Sequence, residues 1–338
     1  MKAASAGPAS ARVRQARLDT AADLVRLKAD ALLVAGDTFE DNAVDRALID
    51  QVAAILARFD GPVFVLPGNH DPLVPGSVWD HPAWGQNSNI TVIREARAYA
   101  LNGATLLAAP LRETHSRLDP TAWLETLPRP EGLVIAMSHG TVEGVDPDTE
   151  HHPIAAHKRQ GIHYLALGHW HSTAVYNDAA MAYSGTHETT KFGERDSGNV
   201  LRVTIGETNA IERIPTGRLR WESIDEEIRH TGELDVLRSK LLTLPAESLV
   251  RIGLKGLLHA AEAPILNHID DIGRRFLHYT RDSEYLLPAD DAAWIETLPA
   301  GAVQLAASRL RAAAENGDTT AAEALLELQS IAAQAGVA

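Results

Sequence analysis

Four short apolar runs in this chain are each followed by a polar phrase with carboxylate, amide or imidazole side chains. The runs have the composition of buried strands, and the phrases that follow them are residues 36–40, 68–71, 138–140 and 168–171. Because the carboxyl ends of parallel strands share one edge of a sheet, polar side chains at these ends are expected to meet in one crevice. The pattern predicts an α/β fold with a functional site at that edge.

The polar side chains in these phrases are ligands that suit manganese, iron or zinc. They are Asp37, Asn69, His139, His169 and His171. The chain has no cysteine, which excludes the thiolate sites typical of structural zinc. Two ions roughly 3.5–4 Å apart can hold a phosphate, generate hydroxide at neutral pH and stabilise the attacking and leaving oxygens of an in-line displacement. The set predicts a two-metal phosphoesterase site.

Each phrase taken alone also has an ordinary structural explanation. Gly-Asp after a strand is usually a turn, and Asn and His tolerate the left-handed conformations that turns require. A single histidine such as His139 is more often an ordinary hydrogen-bonded side chain than a ligand. The functional interpretation depends on four such phrases recurring, in order, in the same structural context.

The order of the phrases resembles that of the calcineurin-like metallophosphoesterase superfamily, over about residues 12–215. Four segments are similar in sequence to the Mre11/SbcD-type branch of DNA repair exonucleases, which includes YhaO-like proteins. They are residues 35–42, residues 164–171, Tyr183-Ser184-Gly185-Thr186 and Phe-Gly-Glu at 192–194. The resemblance implies a layered metallophosphoesterase β-sandwich flanked by helices. It also implies a hydrolase that cleaves phosphodiesters, most specifically a DNA exo/endonuclease that uses a two-metal-activated hydroxide.

The resemblance further assigns the metal ligands residue by residue. It implies that Asp37 bridges two divalent ions, with manganese expected ahead of iron or zinc. Asn69, His139 and His169 are implied to complete the coordination of one ion, and His171 to bind the other.

Three other residues of the same phrases receive roles near the metals. The resemblance implies that His70 faces the scissile phosphate without binding metal, where a general acid for the leaving oxygen is needed. Glu40 is expected to face the substrate or to support a ligand. Asp71 is expected to fix its loop or to orient His70, as carboxylates beside metal ligands do.

One element of the superfamily pattern is not found. Relatives begin with a strand that ends in Asp-x-His or Asp-x-Gln, whereas residues 1–8 here are small and loop-like. Asp19, the first aspartate, lies in a run with helical apolar spacing. We therefore expect the second metal site to be incomplete as written. We also expect the natural start to lie upstream of Met1, beyond a strand that supplies the missing ligands.

The rest of the chain predicts further modules. Residues 1–215 are expected to form the catalytic domain, with helices near 10–29, 43–58 and 149–160 and a hairpin over 199–214 that closes the catalytic sheet. Residues 216–287 alternate strand and helix, which predicts a small α/β cap. In the Mre11/SbcD-type relatives such a cap positions DNA, although a simple accessory module fits equally well. Residues 288–338 predict a helical C-terminal tail.

Charge and composition leave the substrate open. The formal net charge of −14 disagrees with a DNA enzyme, because DNA-binding proteins usually carry a basic surface. A small-molecule phosphodiesterase or phosphatase fits the same metals, and a degenerate non-catalytic scaffold is a third hypothesis. The resemblance implies DNA and a coiled-coil ATPase of the Rad50/SbcC type as partners. No apolar run approaches the ~20 residues that cross a bilayer, and no leader opens the chain, so a cytoplasmic location is expected.

Overall fold

The structure is a computed structural model that divides into two compact units, Met1–Leu219 and Arg220–Ala338. Each unit has a hydrophobic core of its own. The residues that the structure describes are 9–128, 130–144, 151–157, 159–258, 262–288, 293–316 and 318–335.

The described part of the first unit contains two large sheets, two two-stranded sheets and two long helices. The helices are α1 (Ser10–Leu24) and α2 (Arg46–Leu56). The strands are β1 (Leu32–Val34), β2 (Val63–Val65), β3 (Ile90–Val92), β4 (Arg97–Leu101), β5 (Ala104–Ala108), β6 (Leu133–His139), β7 (Thr141–Val142), β8 (Pro153–Ile154), β9 (Tyr164–Gly168), β10 (Ala174–Tyr176), β11 (Met181–Tyr183), β12 (Asn199–Thr204) and β13 (Ala210–Pro215). One sheet has the parallel order β1-β2-β3, and the other has the order β10-β11-β9-β6-β5-β4.

The two sheets pack face to face, and the alternation of side chains along β2 shows why. Phe64, with Leu66 just after the strand, lies in the core shared with the second sheet. Val63 and Val65 point the other way, into a core built with the helices. A strand that is apolar at every position can therefore contribute to two cores, because successive side chains point to opposite faces of the sheet. The predicted layered sandwich flanked by helices is confirmed.

Helix α2 shows how the sequence specifies this helical layer. The helix begins after Asp45, whose carboxylate accepts a hydrogen bond from the backbone N–H of Ala47 at 2.9 Å. Such a cap satisfies one of the donors that a helix start leaves free. Ile49, Ala53 and Leu56 then recur at helical spacing and are buried in the core beside the first sheet.

Two sequence-based expectations for this unit have different outcomes. The helix predicted near 149–160 is wrong: within the described part of that range, β8 pairs in parallel with β7, Thr141 opposite Pro153. Residues 145–150 and 158 lie outside the described residues. The hairpin is confirmed as the antiparallel pair β12–β13. It forms a sheet of its own and does not extend the catalytic sheet, although Leu201 and Val203 pack against the core between the two larger sheets.

The second unit is a parallel three-stranded sheet with helices. Its strands are β14 (Arg220–Ile228), β15 (Ser248–Leu258) and β16 (His278–Pro288), and its helices are α3 (Glu233–Leu242), α4 (Ala263–Gly273), α5 (Ala293–Thr297), α6 (Ala302–Glu315) and α7 (Thr319–Gln334). Helices α3 and α4 cover one face, where Ile224, Ile252 and Leu237 are buried together. Helices α5–α7 share a smaller core and belong to the same unit, since α7 also contacts β15 and β16.

Candidate metal centre

The predicted ligands lie where four strands end. Asp37 follows β1, Asn69 follows β2, His139 ends β6 and His169 directly follows β9. β1 and β2 are parallel neighbours in one sheet, and β6 and β9 are parallel neighbours in the other. The sandwich therefore brings the carboxyl ends of both pairs to one place, as the sequence pattern predicts.

Two glycines allow these chain segments to approach each other. A Cβ on Gly168 would lie 1.6 Å from the carbonyl oxygen of Ala35, and a Cβ on Gly36 would lie 2.1 Å from Nδ1 of His139. A side chain at Gly168 would have to move the Ala35 backbone, and one at Gly36 would have to move the imidazole of His139. Gly36 also has φ = +93°, which glycine adopts readily. The Gly-Asp and Gly-His phrases thus place the loop after β1 against the ends of β6 and β9.

The backbone is unusual at the ligands themselves. Asp37 has φ = 51° and His169 has φ = 105°, both in a region that residues with a side chain rarely adopt. Such conformations cost of order 1–3 kcal/mol each and persist where the surrounding structure imposes them. Here they turn the Asp37 carboxylate and the His169 imidazole towards the same point.

Four side chains meet at that point, and we call them the four-ligand cluster: Asp37, Asn69, His139 and His169. Nε2 of His139 lies 2.9 Å from Oδ1 of Asn69 and 3.2 Å from Oδ2 of Asp37. Nδ1 of His169 lies 3.1 Å from the same Asn69 oxygen. These separations suit an ion at the centre, because ligands about 2.1 Å from an octahedral ion stand about 3 Å apart.

The chemistry of the cluster also fits a cation. Nδ1 of His139 donates a hydrogen bond to the Ala35 carbonyl at 2.8 Å, which leaves the lone pair of Nε2 facing the oxygens of Asn69 and Asp37. Both oxygens are acceptors, so three lone pairs converge. A proton or a metal ion must lie between them. The carbonyl of Ala35 holds His139 in the tautomer that a metal ligand requires.

The pKa values of Asp37 and His139 reflect the close contact between these two side chains. Burial alone would raise the pKa of Asp37, but the charge and hydrogen bond of His139, together with the His70 amide, hold it well below its usual range. Burial alone would lower the pKa of His139, but Asp37 raises it above its ordinary value. In the absence of an ion, a proton on His139 pairs with Asp37. A metal ion must displace that proton, so metal affinity falls as pH falls.

His169 is held neutral. Burial, followed by the positive charge of His139, lowers the pKa of His169 to about 3. An imidazole with this pKa carries no proton that a metal would have to displace at neutral pH. Within the described residues, one group of three acidic or imidazole side chains has ligand atoms within 4.8 Å of one another, and it consists of Asp37, His139 and His169. These residues form a partial metal site.

Asp71 joins the first two ligand loops. Its carboxylate is fully buried and accepts hydrogen bonds from the backbone N–H of Gly68 at 2.7 Å and of Phe39 at 2.9 Å. Burial, followed by the nearby charge of Asp37, raises the pKa of Asp71 to about 7, and the two amides offset only part of this rise. One carboxylate thus fixes the loop after β1 to the loop after β2.

His70 and Glu40 lie at the exposed side of the cluster. The backbone N–H of His70 donates to Oδ1 of Asp37 at 3.0 Å, and its ring Nδ1 donates to the carbonyl of Glu40 at 3.0 Å. The ring is solvent-exposed. This arrangement leaves Nε2 of His70 as the nitrogen that a substrate can reach. Glu40 supports the ring through its backbone carbonyl.

His171 lies outside the group of three ligands. Its Nδ1 donates to Oε1 of Glu194 at 2.6 Å, and Thr190 donates to the same carboxylate through its N–H at 2.7 Å and its hydroxyl at 2.6 Å. Burial would raise the pKa of Glu194, but these hydrogen bonds and His171 hold it below its usual range. A carboxylate on Nδ1 leaves Nε2 available for a metal. We call these two residues the His171–Glu194 pair.

Two further residues support this site although sequence patterns predict no role for them. Glu194 ends the phrase Phe-Gly-Glu, but its spacing of 23 residues from His171 predicts no contact. Tyr183 donates its hydroxyl proton to the carbonyl of Gly140 at 2.6 Å and accepts from the N–H of Val142 at 2.8 Å, which fixes the loop after His139. Both residues occur in the phrases that carry the family resemblance, and this is the signal by which they could be found.

Comparison with known families agrees with this geometry. The family model described as calcineurin-like phosphoesterase matches residues 13–173. This match covers a little under half of the chain. The match includes all of the four-ligand cluster and His171. A comparison with curated proteins found no match. Among the described residues, no helix is both long and apolar enough to span a membrane.

Proposed function

We propose that this protein is a metal-dependent phosphodiesterase that cleaves DNA, as an exo- or endonuclease of the Mre11/SbcD type. The observation that carries the proposal is the four-ligand cluster, where a carboxylate, an amide oxygen and two imidazoles converge through three contacts of 2.9–3.2 Å. The family match supports phosphoester hydrolysis. The resemblance of the phrases around the site supports DNA as the substrate.

Asp37, Asn69, His139 and His169 would hold a divalent ion, for which manganese is our proposal, and His171 would contribute to a second. When bound there, such an ion supplies Lewis acidity and a nucleophile at neutral pH.

The chain's own contribution to the chemistry centres on His70. Its Nδ1–H is bonded to the Glu40 carbonyl, so the ring has a fixed orientation and presents Nε2 towards solvent at the edge of the cluster. A proton held at Nε2 can pass to the oxygen that leaves phosphorus, which is the role of a general acid. Asp71 fixes the positions of His70 and Asp37 relative to each other, because its carboxylate bonds to both of the loops that carry them.

A small-molecule phosphodiesterase or phosphatase is the second candidate, and the net charge of −14 favours it. Bound cations offset this charge only near the cluster, and counterion release from DNA requires lysine and arginine contacts. A non-catalytic scaffold is the third candidate. The buried, mutually oriented ligands argue against it, because a scaffold has no need for three converging lone pairs.

The experiment that tests the proposal compares three substrates after chelation and addition of manganese. End-labelled duplex DNA, bis(p-nitrophenyl) phosphate and p-nitrophenyl phosphate are incubated with the full chain. Manganese-dependent cleavage of DNA and of the aryl diester supports the nuclease. Cleavage of the aryl esters alone supports the small-molecule enzyme, and no cleavage of any substrate supports the scaffold. The His169→Ala variant should lose the activity, and His157→Ala, which changes an exposed histidine elsewhere, should keep it.

A further inference from the structure

Two histidines outside the predicted site continue a row of imidazole rings away from it. The ring centroids of His139 and His169 are 5.3 Å apart, those of His169 and His151 are 5.4 Å apart, and those of His151 and His115 are 5.3 Å apart. Exposure increases along the row: His139 is buried, His169 and His151 are half-buried, and His115 is exposed. The row thus runs from the metal ligands to the surface.

The backbone holds the outer part of this row in place. The N–H of Thr141, just beyond the end of β6, contacts the carbonyls of His151 and His152, both at 3.1 Å. Gly140 makes this approach possible, because a Cβ there would lie 2.1 Å from the His152 carbonyl oxygen. The segment that carries His151 is therefore attached to the same strand end as the ligand His139.

The segment that carries His115 is attached in turn. The N–H of His152 donates to the carbonyl of Ser116 at 2.9 Å, and Ser116 and His151 form a parallel bridge. The ring of His152 lies 3.2 Å from the carbonyl of Glu113. Since both flanks of His115 are bonded to residues 151 and 152, its position beside His151 follows from the backbone and is more than a chance contact of an exposed side chain.

The outer rings do not extend the metal site. Within the part of the chain that the structure describes, neither His151 nor His115 belongs to a group of three metal-binding side chains. They are not core residues either, because one ring is half-buried and the other is exposed. What they offer is an aromatic surface next to the ligand His169.

We propose that His151 and His115 bind the nucleoside that flanks the scissile phosphate, with its base stacked on the exposed ring of His115. This inference rests on the proposed function, and it names how a nucleotide diester would be recognised. A diester has a substituent on each side of phosphorus. The row begins at the ligand cluster with His169 and reaches the surface at His115, so it can contact one of these substituents. Stacking suits this acidic chain, because it recognises bases without requiring a basic surface.

The test measures binding without turnover, using the full chain with Mg²⁺ and a dithymidine phosphorothioate as the probe. Titration calorimetry gives the dissociation constant, and spectra of protein with ¹³C-labelled histidines show which rings the probe moves. The probe should shift the resonances of His115 and His151, assigned from their glutamine variants. Inorganic phosphate should leave His115 unchanged.

Three variants separate stacking from other roles. His115→Ala should weaken binding of the probe about tenfold, within the range found for removal of one stacked base. His115→Phe keeps an aromatic ring and should bind like the native chain, and His157→Ala should have no effect. The slope of affinity against salt should be the same for His115→Ala and the native chain, because stacking releases no counterions.

The inference is overturned if the native chain does not bind the probe, if His115→Ala binds as tightly as the native chain, or if His115→Phe is as weak as His115→Ala. Failure of the proposed function gives a different result. In that case the probe binds and depends on His115, but manganese supports no cleavage of the corresponding phosphodiester or of bis(p-nitrophenyl) phosphate.

Discussion

The two halves of the metal centre differ in what each imidazole faces. In the four-ligand cluster, His139 and His169 face oxygens of Asn69 and Asp37, all of which are donors to a metal. In the His171–Glu194 pair, His171 is bonded to a carboxylate that orients it. The first half is a preorganised set of side chains that could hold an ion, and the second is one imidazole oriented by a carboxylate. In our proposal, the fold alone arranges the donors for one ion and orients one ligand for a second.

The largest expected effect is on metal affinity and separates the halves directly. His139→Ala should weaken manganese binding about a thousandfold, because it removes a ligand and leaves the Asp37 and Asn69 oxygens facing a cavity. His171→Ala should weaken the tightest binding event by less than about tenfold. Calorimetry or electron paramagnetic resonance of manganese measures both. Equal losses in the two variants would show that the halves form one site.

The next effect concerns His70, which serves the chemistry without binding metal in our proposal. His70→Ala should reduce kcat by about 10²–10³-fold, as expected for loss of a general acid. Its KM and its manganese affinity should stay near native values, which is the pattern of an interaction made mainly in the transition state. Elemental analysis of the purified variant provides the control. Loss of metal would place His70 in the cluster itself.

A third effect compares the carboxylates that support each half. Asp71→Asn should destabilise the fold by about 2–3 kcal/mol at pH 5, because an amide cannot accept hydrogen bonds from both Gly68 and Phe39 in a fully buried position. The loss should shrink as pH rises through about 7, because burial disfavours the ionised Asp71 carboxylate, which Asn lacks. Glu194→Gln should cost about 1 kcal/mol, since its partner His171 is partly exposed. Urea unfolding of the chelated proteins measures both. A reversed order would make Glu194 the main structural support of the centre.

The last effect tests how acid acts on stability through His187, which lies in the segment between His171 and Glu194. The ring of His187 donates to the carbonyl of Arg17 in α1, and burial, followed by the charge of Arg17, lowers the pKa of His187 to about 4. The unfolded chain takes up this proton near pH 6.5 and the folded chain does not, so stability is present above pH 6.5 and is lost as pH falls towards 4. The loss from this group between pH 7 and pH 5 is about 2 kcal/mol.

A substitution isolates that contribution. His187→Gln keeps a nitrogen donor for the Arg17 carbonyl and does not titrate. Its unfolding free energy should match that of the native chain at pH 7 and exceed it by about 2 kcal/mol at pH 5. His157→Ala is the matched exposed control. Identical pH profiles for His187→Gln and the native chain would show that His187 is not responsible.

Two of the strands that lead to the ligands, β2 and β6, could be predicted from the sequence because they are buried on both faces. Val63, Phe64 and Val65 are all buried, so they form a continuous apolar run that ends at a polar phrase. The wrong helix prediction near 149–160 has the opposite cause. There the backbone of β8 finds its partner in β7, and this tertiary pairing overrides local spacing.

Contacts between distant residues account for what the sequence could not predict. Glu194 belongs to the phrase Phe-Gly-Glu, yet only the fold shows that it bonds to His171. The same holds for the row that joins His115, His151 and His169. Short phrases identify candidate ligands through residue type. Which of them face one another, and which face a supporting carboxylate, depends on where separate loops meet.

The contacts in and around the four-ligand cluster join residues that are far apart in the sequence, which bears on when in folding a metal ion can bind. Asn69 and His169 are 100 residues apart, and His139 and Ala35 are 104 residues apart. Contacts of such long range form late in folding, because closing long loops costs entropy before any contact compensates. If the cluster holds an ion, as we propose, the ion is therefore expected to bind after both sheets have formed and not to nucleate the domain. The chain should then fold without metal, and the supply of metal should set how much of the folded protein is active.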